Sequence, residues 1–380
     1  MKKGWELQSL GEVAQVSSGN SAPQDESLFK EGVYPFFRTA DAGRVRFGDI
    51  YEACDYLNEK GVKGLRRYPK GTILFPKSGA STFLNHRVML GVEGCVSSHL
   101  ATIVAKESKV DPRFLLYFLS TICAQDLVQD HAYPSLNLPT ISSILIKYPP
   151  LSEQQRIVRL LDEAFANIAI TKANAEHNLQ NAKDIFESYL QAVFTKRGNE
   201  WVKTTIDKIS TNLDSKRIPI TKSVRSAGKY PYYGASGIVD YVSEYIFDGE
   251  MLLVSEDGAN LLARSTPIAF SVSGKCWVNN HAHILKFENH ATQKIVEFFF
   301  ASIKLDEYIT GAAQPKLNQR ALNSIPIYIP KSEAGQLKVV KNIESLQKET
   351  EALASHYQQK LSALEELKKS LLHQAFSGEL

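Results

Sequence analysis

Cysteine is scarce in this sequence and unpatterned where it occurs. Cys54, Cys95, Cys123 and Cys276 form no Cys-x-x-Cys pair and have no histidine at ligand spacing. That argues against a zinc site and a disulfide framework, and leaves reduced core thiols as the expectation. Long apolar runs are missing too. Nothing approaches the roughly 18 consecutive apolar residues of a membrane span, and the start Met1-Lys2-Lys3-Gly4-Trp5-Glu6 leads straight into polar sequence. A chain with neither span nor leader is expected in the cytoplasm.

Catalytic signatures are also lacking. There is no Gly-x-Gly and no Gly-x-x-x-x-Gly-Lys-Ser/Thr loop, which argues against an adenosyl-cofactor pocket and an ATP motor. An enzyme that methylates base amino groups uses an Asn/Asp-Pro-Pro-aromatic motif; here the double proline lies in Lys147-Tyr148-Pro149-Pro150-Leu151. Lysine only donates, so it cannot accept from a target amino group, and the prolines read as a helix boundary. Glu256-Asp257 and His281-x-His283 are the groupings closest to a hydrolytic or metal site. The first reads as a solvated pair in a turn, and the second alone is a weak metal signal. No catalytic residue, metal or cofactor is expected.

What the chain does contain is a duplication. Its 380 residues, 43% of them hydrophobic, are enough for two or more packed domains. Trp5, Leu10 and Val13 recur as Trp201, Ile206 and Ile209, and Tyr34-Pro35-Phe36-Phe37 as Tyr230-Pro231-Tyr232-Tyr233, both 196 residues on. Gly79-Ala80 matches Gly258-Ala259, His99 matches His281, Leu136-Asn137 matches Leu317-Asn318 and Phe194 matches Phe376, at offsets of 179, 182, 181 and 182. Length therefore varies mainly between Phe37 and Gly79.

Each copy has a mixed portion followed by a long helix. In residues 1–150, short apolar runs such as Thr72-Ile73-Leu74-Phe75 and Ala101-Thr102-Ile103-Val104-Ala105 read as strands, and Asp111-Pro112 opens a helix. Residues 199–331 repeat the mixture, with Val296-Glu297-Phe298-Phe299-Phe300 in the helix position. Residues 151–198 and 332–380 read as the long helices, capped by Ser152, with Gln155 completing a capping box, and by Ser332. Ile157, Leu161, Ala164, Ile168, Thr171, Ala175, Ala182, Ile185 and Tyr189 make a heptad seam on the first. Ile343, Leu346, Leu353, Tyr357, Leu364 and Leu371 make the other. Each helix would run about 66 Å. The pair reads as a generic dimerisation element or, since each follows its own copy of a domain, as a spacer between two domains. The fold class is α+β: two repeated globular domains and two long antiparallel helices forming a coiled coil.

Net charge is only +3, yet each copy has its own basic cluster. Lys60, Lys63, Arg66, Arg67, Lys70 and Lys77 follow one another without an intervening acid, preceded by Arg38, Arg44 and Arg46. The second copy has Lys216, Arg217, Lys222, Arg225 and Lys229. Such runs are commonly solvated faces; one per copy points instead to phosphate contacts. Lys77-Ser78 aligns with Glu256-Asp257, where lysine suits guanine acceptors and a carboxylate suits the cytosine amino group. With Lys316, these residues form the expected DNA-contacting set.

The order of a variable domain, a Pro-Pro-Leu-Ser-Glu-Gln-Gln-Arg-Ile-Val segment at 149–158 opening a long helix, then a second domain and helix, resembles the specificity subunit of type I restriction-modification systems. The tail from Leu371 to Leu380 is also similar to that family's ending. The resemblance implies two target-recognition domains reading the halves of a split double-stranded DNA site. It also implies partnership with methyltransferase subunits, expected to number two, and with restriction-translocase subunits. One departure is Pro330-Lys331-Ser332-Glu333-Ala334-Gly335-Gln336-Leu337, which lacks the Gln-Gln-Arg-Ile run and puts Gly335 in the first turn; unequal contacts at the two helix starts are expected. Two other readings remain open: a stand-alone DNA methyltransferase or nuclease with an unfamiliar site, and a structural protein whose domains bind something other than DNA.

Overall fold

The structure is a computed structural model, and it describes every residue except 1–3, 131, 133, 196, 197 and 312. Met1-Lys2-Lys3 thus lies outside the described residues. The chain divides into two compact units, Met1–Asn174 with Leu361–Leu380, and Ala175–Lys360.

In the first unit a five-stranded sheet runs in the spatial order Ala14–Ser18, Leu100–Ala105, Ile73–Pro76, Arg87–Leu90, Phe47–Ile50. The predicted runs at 73–75 and 101–105 lie at its centre, and Ile73–Pro76 is buried throughout, as a strand covered on both faces must be. Phe36 and Phe37 pair in parallel with Cys95 and Val96 in a second sheet. The Asp111 carboxylate accepts from the Arg113 and Phe114 N–H groups and starts the helix Pro112–Ser120, whose Phe114, Leu115 and Leu119 are fully buried.

The second unit repeats the plan on a smaller frame. Its central sheet orders Thr211–Asn212, Ala282–Lys286, Met251–Ser255, Ala269–Val272. Tyr232 and Tyr233 pair in parallel with Trp277 and Val278, as Phe36 and Phe37 do with their partners. The added length of the first copy is the helix Thr39–Val45 with the strand Phe47–Ile50, and the short strand Arg67–Tyr68. Asn289 caps His290–Ser302 through the Thr292 N–H, the place Asp111 holds in the other copy.

The long helices are Leu151–Thr195 and Glu333–Ser377, 45 residues each. Within the first unit they run antiparallel: Arg156 donates to the Leu380 carbonyl and Lys172 pairs with Glu365. Ile157 and Leu161 are buried in the first unit's core, joined by Leu371 and Phe376, whose ring lies 5.2 Å from that of Phe114. In the second unit Leu190, Phe194 and Ile343 fill the matching place, with Tyr189 beside them. Ile168, Leu346 and Leu364 are half-buried. Two seam assignments shift by one residue: Ile185 and Leu353 are exposed, while Phe186 packs on the core and Ala354 is half-buried. The four-then-three steps from Ala182 and Thr350 reach 186 and 354, one position past the bulkier aliphatic residue. Of the four thiols, Cys95 and Cys276 are buried, whereas Cys54 and Cys123 are exposed and free. Among the described residues no helix is long and apolar enough to cross a membrane.

The first helix begins at Leu151, so Ser152 and Gln155 lie inside it, and the residue that secures its start is Gln154. Wholly buried, the Gln154 amide donates to the Lys109 and Pro149 carbonyls and accepts from the Asp111 N–H. Ser332 does cap the second helix, accepting from the Gly335 N–H at 3.2 Å. Gln336, also buried, donates to the Pro330 carbonyl and accepts from the Thr292 hydroxyl. The apparent loss of the glutamine at the second helix start is therefore a shift of position, because Gln336 does there what Gln154 does at the first. Gln154→Ala would orphan one buried N–H and two carbonyls, and should cost about 2 kcal/mol in urea denaturation; an unchanged midpoint would mean that water takes over the amide's bonds.

Candidate nucleic-acid interface

A loop cluster recurs in both units on one backbone frame. In the first, the Lys77 N–H donates to the His99 carbonyl, the Leu136 N–H to the Lys77 carbonyl, and the Gly79 N–H to the Pro134 carbonyl. In the second, the same three bonds join Glu256 to His281, Leu317 to Glu256, and Gly258 to Pro315. Ser78 bridges Ser135 as Asp257 bridges Lys316. Asn137 and Asn318 each cap the short helix that follows. Gly79 and Gly258 take positive φ, 70° and 106°, a conformation that a Cβ would strain. Two loops that differ in sequence are thereby held to one shape, with Lys77, Ser78, Ser135 and His99 at one tip and Glu256, Asp257, Lys316 and His281 at the other.

The basic residues divide into free and committed sets. In the first unit, Arg38 is ion-paired with Asp55 and stacks on Phe36; Arg44 donates to the Glu52 carbonyl; Arg67 pairs with Glu93 at 2.9 Å. The acid-free run in the sequence is not acid-free in space, because the sheet brings Glu93 to Arg67. Among the described residues Arg46, Lys63, Arg66 and Lys77 meet no carboxylate. Arg66 is exposed, with its guanidinium 5.0 Å from the Tyr68 ring centre and 3.3 Å from the Ser17 hydroxyl. Arg46 is exposed and has φ of 67°.

In the second unit Lys216 and Lys222 are exposed and unpaired among the described residues, while Arg225 pairs with Asp240 and stacks on Tyr232 at 4.2 Å. Two expected contacts turn inward. Arg217 places Nη1 2.6 Å from Glu256 and 2.9 Å from the Ala282 carbonyl, with Asp214 at 3.6 Å. Glu256 is 8% exposed and also meets Lys316 at 3.1 Å, so its carboxylate is spent and cannot accept from a cytosine amino group. Burial pushes the Glu256 carboxyl up, but Arg217, His283 and Lys316 outweigh it and hold the group below the usual carboxylate range. Asp257 is engaged by the His281 ring at 2.9 Å.

Asp214, Glu256 and His283 bring three ligand-type atoms within 4.8 Å of one another. They do not suit a cation. The Arg217 guanidinium already bridges the carboxylates, and the His283 nitrogens face Asp214 and the Leu317 carbonyl, leaving no lone pair for a metal. Sequence reasoning missed this network. The available signal was His281-x-His283: His281 lies in the turn before the strand Ala282–Lys286 and reaches Asp257 at the tip, whereas His283 sits within the strand and is buried.

A family model described as the type I restriction modification DNA specificity domain matches residues 2–180 and 198–363. A putative type I restriction enzyme specificity subunit of Haemophilus influenzae is 30% identical over 168 residues, 44% of this chain and 41% of that protein. The chain thus spans about two fifths of that relative's length. The EcoprrI specificity subunit of Escherichia coli is 22% identical over 85% of this chain and 83% of its own. A chain from a solved type I R-M system complex superposes with a TM-score of 0.80 at 15% identity, covering 100% of this chain and 99% of the other, and so shares the fold. With a duplicated domain, two long helices and both copies matched, this chain belongs to the type I restriction modification DNA specificity domain family.

Proposed function

We propose that the chain is the DNA-reading specificity subunit of a type I restriction-modification complex, with each unit contacting one half of a split duplex site. It carries out no chemistry itself and works in the cytoplasm beside the DNA; methyltransferase and restriction-translocase subunits bound to it modify or cut. The observation that carries this reading is the pair of tips built on identical backbone bonds but ending in different side chains. One frame presenting two sets of donors and acceptors is what reading two unlike half-sites requires. Lys63 and Arg66 in the first unit, and Lys216 and Lys222 in the second, are the proposed phosphate contacts. Lys77, Ser78, Asp257 and Lys316 are the proposed base-facing positions.

Two measurements test this. The double variant Lys63→Ala, Arg66→Ala should bind all DNA sequences more weakly and lower the slope of log affinity against log salt by about two, one released counterion per lost phosphate contact. An unchanged slope would make this cluster a solvated face. The purified chain incubated with DNA and a labelled adenosyl methyl donor should transfer no label; transfer without a partner would instead favour a self-sufficient methyltransferase.

A further inference from the structure

Ala101 and His283 hold the same ladder position in the two units. Ala101 pairs with Phe75 on one side and Ser18 on the other. His283 pairs with Val254, and Asp214, two residues beyond Asn212, takes the place of Ser18. A small neutral pair in one copy is thus a buried carboxyl–imidazole pair in the other.

The His283 ring is 1% exposed, with Nδ1 2.5 Å from Asp214 Oδ2 and Nε2 2.7 Å from the Leu317 carbonyl. A carbonyl cannot donate, so Nε2 carries the hydrogen in its bond to Leu317, and Nδ1 faces the Asp214 carboxyl. The charged groups facing it are Asp214, Glu256 at 3.7 Å, Arg217 between the two carboxylates, and Lys316 on Glu256. His281 turns away to Asp257. Burial pushes Asp214 up, but His283, the Ile284 N–H and Arg217 outweigh it and hold the carboxyl low, so it stays ionised at neutral pH.

The Nε2–H of this ring fastens a loop at the tip. Leu317 follows Lys316, whose backbone N–H and carbonyl exchange bonds with Thr310 and whose Nζ reaches Glu256. We propose that His283 is a positioning residue for the second unit's recognition loop. Through the bond from Nε2–H to the Leu317 carbonyl, the ring fixes Lys316 and thereby the bases this unit selects. This anchor belongs to the second unit alone, because the first has Ala101 there. This rests on the reading that each unit contacts one half-site.

The test uses the full chain and duplexes carrying base changes in one half-site or the other, with binding ratios measured for each. His283→Gln keeps a single side-chain donor group between two acceptors. The double variant Asp214→Ser, His283→Ala takes the residues of the first unit and leaves no orphaned carboxylate, so it should stay folded at the temperature of the binding assay, which thermal unfolding checks. Both variants should lose discrimination at one and the same half-site by about tenfold, the worth of one hydrogen bond, while the other half-site keeps wild-type discrimination. Wild-type discrimination in the folded double variant, or equal loss at both half-sites, would overturn the proposal. A wild-type chain without preference for any split site would instead overturn the DNA reading beneath it.

Discussion

Three backbone hydrogen bonds hold each tip, and the chemistry displayed there depends on them. They run from Lys77, Leu136 and Gly79 in one unit and from Glu256, Leu317 and Gly258 in the other, always to carbonyls across the same strand ends. Because the bonds use main-chain groups only, side chains at 77, 78, 135 and 257 can change without breaking them. Glycine φ and asparagine caps hold the shared backbone, and identity at these positions is left free.

Behind the tips the units solve the same packing problem differently. In the first, Arg87 is fully buried against the Phe75 ring, 3.5 Å from its centre, and donates to the His86 and Ile122 carbonyls. In the second, Arg264 donates to the Phe300 and Ile303 carbonyls at the end of the equivalent helix. The second unit also buries the Asp214, Arg217, Glu256 and His283 network close under its tip. A group of this kind is costly to break one partner at a time, which gives the loop above it a defined place rather than added stability.

Much of the fold was legible in the sequence. Spacing between matched residues revealed the duplication, and Asp111-Pro112 and Pro149-Pro150 marked helix starts that the structure retains within one residue. The helix seams drifted by one residue: Ala354 and Phe186 face inward, and the neighbouring Leu353 and Ile185 do not. The interface was less legible. A linear run shows which charges are neighbours in the chain and hides carboxylates arriving from other strands, such as Glu93 for Arg67, Asp55 for Arg38 and Asp240 for Arg225. Arg217 looked like a surface group because it lies in a basic run, and Glu256 because it lies in a turn before Gly258; only the fold reveals that they satisfy each other inside the unit.

The most direct measurement is a domain exchange. Residues 199–331 would be replaced by the corresponding domain of another family member, and the DNA sites methylated in cells carrying the exchanged chain would be sequenced. If each unit reads its own half on a shared frame, one half of the methylated site changes to that of the donor and the other half stays as it was. A change in both halves, or in neither, would contradict two independent readers.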